Sequence, residues 1–119
     1  MIEMFQMQHL RKSPAGELSR SMSRRLEIAR ALAMEPRLLI LDDPFTGMTQ
    51  QEMDQIKGIL FELNKISNIA MIVAEDDMSD AVEISNRVAV LDFGVKLAEG
   101  TPDFVENHPK IIKLYPPKG

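Results

Sequence analysis

Residues 38–48 read LLILDDPFTGM: four apolar residues, two adjacent aspartates and a proline. The apolar run does not alternate with polar residues, so it predicts a strand buried on both faces. Acids side by side at the end of such a strand gain nothing from each other, and unpaired they carry a desolvation cost. Two readings of Asp42 and Asp43 stand at this point. Either both face solvent where the strand emerges, or a cation or a reaction sits there.

Working outward, Ser19 to Glu35 has helical spacing, with Met22, Leu26, Ala29 and Leu32 or Ala33 on one face, and Pro36 ends it. Thr49 and Glu52 have capping-box spacing, and Met53, Ile56, Leu60 and Leu63 form the apolar stripe of a second helix. NIAMIVAE is another apolar strand, over about 69–75. A short helix is expected over 78–86, then a strand RVAVLD over 87–92, which Phe93-Gly94 turns into VKLAE. Thr101-Pro102 and His108-Pro109 each read as a cap followed by proline at the first helical position. Residues 1–11 read as a short helix, followed by a loop KSPAGE. Strands alternating with helices predict one α/β domain over 1–119 with a mostly parallel sheet. Ligands of such sheets gather outside the carboxyl ends of the strands. Asp42 and Asp43 are therefore expected on the same rim as Glu75, Asp76 and Asp77.

The 119 residues are 45% apolar and 27% charged, ordinary for a soluble globular domain. The absence of cysteine excludes disulfides, thiolate metal sites and a cysteine nucleophile. A net charge of −4 gives no basis for general nucleic-acid binding. The one basic segment carries Arg20, Arg24 and Arg25, read as a solvated helix face beside Glu27. No apolar run reaches membrane-spanning length, and MIEMFQMQHLRK lacks the apolar core of a signal peptide. His9 and His108 have no metal-ligand spacing and read as surface residues. The acids 75–80 lack EF-hand spacing, and the DFG at 92–94 has no kinase motif beside it and reads as a hairpin turn.

The order of these segments resembles a known family. ELSRSMSRRLEIARALAMEPRLLILDDPFTGM resembles the signature helix (19–35) and Walker B strand (38–42) of ABC-transporter ATPase subunits. IAMIVAEDDMSDAVEISNRVAVLDFGVKLAEGTP resembles their switch strand (69–75) and C-terminal hairpin (87–99). The ending EGTPDFVENHPKIIKLY is most like subunits for branched-chain amino-acid import and lipopolysaccharide export. The likeness covers about residues 5–115 and corresponds to the second half of the family's domain, which implies a three-layer P-loop-NTPase-like fold. Carried over by position, Asp42 takes the place of the Walker B aspartate that helps hold Mg²⁺ against the nucleotide phosphates. Asp43 takes that of the catalytic glutamate and Asp76 that of the switch histidine. Leu18, Ser19, Arg20, Ser21 and Met22 fall on the signature loop, usually LSGGQ, and Thr49 on the D-loop aspartate.

The departures from the family are as informative. A phosphate-binding loop needs G-x-x-x-x-G-K-[ST], because glycine N–H groups wrap the phosphates and a lysine reaches them; no such stretch occurs among these residues. Arg20 and Ser21 replace the two glycines of the signature loop, and Asp43 is one methylene shorter than glutamate. An ionised Asp76 only accepts hydrogen bonds and would repel the phosphate that a histidine binds. The resemblance thus implies Mg-ATP as cofactor for the family, and no binding or hydrolysis by this chain alone. It implies a cytoplasmic chain, peripheral at the inner face of a membrane, acting with a P-loop-bearing ABC ATPase partner and a permease. Homo-oligomerisation is the other expected association. The alternative function is a non-enzymatic regulatory module or a gene remnant.

Overall fold

The computed structural model describes residues 19–116. The helix expected over 1–11, the loop after it, His9 and Leu18 lie outside those residues. The described chain falls into two compact units, one ending at Ala74 and one starting at Glu75.

The first unit begins with α1 (Arg20–Leu32), whose cap is Ser19: its hydroxyl accepts from the Met22 N–H at 3.2 Å, satisfying one of the donors a helix start leaves open. β1 (Leu38–Asp42) follows. Thr49 caps α2 (Gln50–Ser67) by accepting from the Glu52 N–H at 3.2 Å. Asn68 ends α2 in the left-handed region at φ 55°, a conformation asparagine tolerates better than most residues. The Asn64 side-chain amide donates to the Ile69 carbonyl at 2.9 Å, tying the end of α2 to the strand that follows. That strand, β2 (Ala70–Ala74), pairs parallel with β1 from Leu38↔Ala70 to Asp42↔Ala74. Helix α2 is the crossover that a parallel pair requires.

Two expectations for this unit need correction. The inward side of α1 is Ser21, Arg25, Ile28, Ala29 and Leu32, with Met22 and Leu26 only half-buried and Ala33 exposed. Arg25, expected on a solvated face, is 2% exposed. Its long aliphatic stem can line an apolar interior while the guanidinium finds a polar partner. The second correction concerns β1, which is not buried on both faces. Leu39 and Leu41 are 5% and 6% exposed, whereas Leu38 and Ile40 are 47% and 64% exposed. Ile40 sits opposite Ile72, itself 55% exposed. A parallel sheet gains a second covered face only where another layer packs on it, and the described residues supply one layer.

The second unit holds α3 (Met78–Ile84), then β3 (Val88–Asp92) and β4 (Val95–Gly100) as an antiparallel hairpin. Phe93 at φ 48° and Gly94 at φ 78° make its two-residue turn, the positive-φ geometry that matches the twist of the flanking strands. Thr101 caps α4 (Pro102–Glu106) and His108 caps α5 (Pro109–Leu114), each with proline in the first turn. Val88, Val90, Ala98, Val105 and Ile111 form the core here, with Met78, Val82 and Leu97 packed against it.

Candidate functional site

The carboxyl end of β1 is built by backbone geometry. Asp42 is the last strand residue and exposed. Asp43 bends into the left-handed region at φ 50°, and its N–H donates to the Ala74 carbonyl at 2.8 Å. This bond extends the parallel ladder by one rung and fixes where the two consecutive carboxylates leave the sheet. Behind them Pro44 is fully buried and Phe45 is 4% exposed, so the turn after the acids is anchored in the core. The Lys57 ammonium lies 5.6 Å from the centre of the Phe45 ring, within cation–π range.

The start of α1 meets the loop beyond these acids. Gly47 has φ 78°, and a Cβ on it would come within 2.8 Å of Arg20 Nε. A glycine is therefore required there on two counts, conformation and space. One turn further along α1, Arg25 hydrogen-bonds Gln55 Oε1 on α2. Burial pushes the Arg25 guanidinium below its ordinary value, and the nearby Glu52 carboxylate works in the opposite direction. Ser21 is 2% exposed and its hydroxyl has no hydrogen-bond partner among the described residues. Ser19, Arg20, Ser21 and Met22, expected on a signature loop, are in order a helix cap, a side chain lying over Gly47, a buried hydroxyl and the donor to the cap.

Asp76 belongs to the second unit, exposed in the turn between β2 and α3. Beside it Asp77 caps α3, its carboxylate accepting from the Asp80 N–H at 3.2 Å, and Glu75 accepts from the Asp77 N–H at 3.1 Å. Carboxylates at a helix start are favoured by its unsatisfied N–H groups.

Among the described residues no three histidine or acidic side chains gather as a metal site. Asp42 and Asp43 stand as two consecutive carboxylates at the end of β1, and the Arg20 side chain lies over Gly47. Sequence reasoning missed Arg25, Gln55 and Lys57 as parts of this framework. Positions 21, 25, 28 and 32 do share one helical face, but their polar members hid the stripe.

A helical crossover joining two parallel strands makes this unit an α/β fragment, consistent with part of a P-loop NTPase domain. Comparison narrows the class. Residues 1–46 match the family model described as ABC transporter. The high-affinity branched-chain amino acid transport ATP-binding protein BraF of Pseudomonas aeruginosa is 38% identical over 101 residues, 85% of this chain and 40% of that protein. The lipopolysaccharide export system ATP-binding protein LptB of Haemophilus influenzae is 30% identical over 115 residues, 97% of this chain and 47% of that one. The ADP conformation of MJ1267, an ATP-binding cassette of an ABC transporter, superposes with a TM-score of 0.85 at 27% identity, covering 96% of this chain and 46% of that one. The chain corresponds to the C-terminal half of an ABC-transporter ATPase subunit, and it spans less than half the length of these relatives.

Proposed function

We propose that the chain is the ATP-binding-subunit half of an ABC transporter that neither binds nor hydrolyses ATP alone, and that works with a P-loop-bearing partner and a membrane permease. One observation carries this reading: the 119 residues hold the strand-end acids and the signature helix but no G-x-x-x-x-G-K-[ST]. In the assembled domain Asp42 would serve Mg²⁺, and Asp43 would stand in the place of the catalytic glutamate. Leu18 to Met22 would take the place of the signature loop, and Asp76 that of the switch histidine. Asp43 and Asp76 would keep turnover low, since misplacing a group by about 1 Å can cost roughly 100-fold and a carboxylate repels phosphate. Similarity to ATP-binding subunits supports a cytoplasmic, membrane-peripheral location. Among the described residues no helix is long and apolar enough to cross a membrane.

The test is calorimetry of Mg-ATP with the purified chain. The expected outcome is no binding tighter than millimolar, because the phosphate cradle is what converts such contacts to micromolar affinity. Micromolar binding would overturn the reading.

A further inference from the structure

The span 43–49 joins the end of β1 to the start of α2, with Asp42 just before it and Asp43 as its first residue. Asp43 is held against its own preference. Its φ of 50° lies in the left-handed region, which a residue with a side chain keeps only where its surroundings impose it. The residue before a proline, as Asp43 is, favours extended backbone instead. Both ends of the span are fixed. At the β1 end the Asp43 N–H donates to the Ala74 carbonyl at 2.8 Å. At the α2 end the Thr49 hydroxyl accepts from the Glu52 N–H, and its carbonyl accepts from the Met53 N–H at 2.9 Å. Between them the Met48 N–H donates to the Phe45 carbonyl at 3.2 Å.

Helix α1 reaches the α2 end of this span through one buried side chain. Arg25, 2% exposed, hydrogen-bonds Gln55 Oε1, and the Glu52 carboxylate attracts it. Glu52 and Gln55 have i, i+3 spacing, so they share one side of α2. Glu52 serves twice: its N–H closes the Thr49 cap, and its carboxylate faces the arginine. A buried guanidinium is costly to separate from such groups, so it holds the first turns of α2 against α1. We propose that Arg25 is a positioning residue for the strand-end acids: through Gln55 and Glu52 it fixes the start of α2, and thereby the span 43–49 and the direction in which Asp43 leaves the sheet. The chemistry given to Asp43 rests on the functional reading above; its positioning by Arg25 does not.

The experiment is amide hydrogen exchange by NMR on the whole 119-residue chain and three variants. Gln55→Leu removes the acceptor at an exposed position. The Asp43 and Met48 amides should then exchange about tenfold faster or more, the size of a lost hydrogen bond to a charged group. The ladder amides within β1 and β2 should keep their rates. Gln55→Glu, of the same length and still an acceptor, should keep the parent rates throughout. Arg25→Met retains a long buried stem without the guanidinium and should repeat the Gln55→Leu pattern. Unchanged rates at Asp43 and Met48 in Gln55→Leu would overturn the inference. Equal acceleration through all of β1 and β2 would do so too, since that is a general loss of stability. Gln55→Glu behaving as Gln55→Leu would mean that only the size of the side chain matters, which also overturns it. If Arg25→Met does not fold, the two Gln55 variants decide the matter. No nucleotide enters this measurement. Micromolar ATP binding by the chain would remove the functional reading and leave the positioning of Asp43 standing, whereas unchanged exchange removes the positioning whatever calorimetry gives.

Discussion

Glu99 on β4 accepts from the Lys96 ammonium at 2.6 Å and from the Arg87 guanidinium at 3.3 Å. The Lys96 hydrogen bond foremost, then that of Arg87, holds its carboxyl below the ordinary value of 4.5. A carboxylate depressed in the folded state contributes stability above its unfolded value and loses it as pH falls through the folded one. Glu99→Gln should therefore lower the urea midpoint at neutral pH, with the gap from the parent chain closing as pH drops below 4.5. Because the three side chains are exposed, the gap should be small and should shrink in high salt. A gap that widens on acidification would contradict the pairing. Arg25 is the contrasting residue. Its guanidinium is buried against Gln55 at the α1–α2 contact, where removing the charged group would leave Gln55 without that donor.

Among the elements, α2 carries a position that works against it. Gly58 lies within the helix on its exposed side, and a Cβ there would meet nothing within 4 Å. Glycine inside a helix costs about 0.5–1 kcal/mol relative to alanine through the backbone freedom it surrenders. Gly58→Ala should raise chain stability by about that amount in urea unfolding. A loss instead would show that a neighbour occupies that side of α2. The ends of the elements were legible in the sequence because their causes are local: Thr49, Thr101 and His108 act on N–H groups two or three residues away, and Phe93-Gly94 forms its turn within the hairpin. The alternation of strands and helices was legible for the same reason and set the α/β class. The burial of Arg25 and Lys57 was not, since residue type alone does not say whether a long stem lies in the core or in water. The exposure of Ile40 was hidden too. LLIL has the composition of a strand covered on both faces, and composition does not record whether the second cover is made by these residues. At the site, the acids at the strand end could be read directly. The left-handed turn at Asp43 and its bond to Ala74 depend on a strand distant in sequence, so they could not.

At the scale of the whole molecule, the connection lengths within the two sheets of the described residues differ sharply. β3 and β4 are joined by two residues, whereas β1 reaches β2 only across α2. Hairpins close in roughly 1–10 μs, but a pairing across a long loop must first overcome the entropy of bringing its ends together. Pulse-labelled exchange during refolding should therefore find the β3–β4 amides protected before those of β1 and β2. The reverse order would mean that α2 and its flanking strands form as a pre-assembled nucleus. During synthesis the order of appearance opposes the order of ease. At roughly 5–20 residues per second, the ribosome releases β1 on the order of seconds before β2, the partner it waits for. Through that interval the nascent LLIL segment has no finished ladder to join, which makes it a stretch that a holding chaperone would find open.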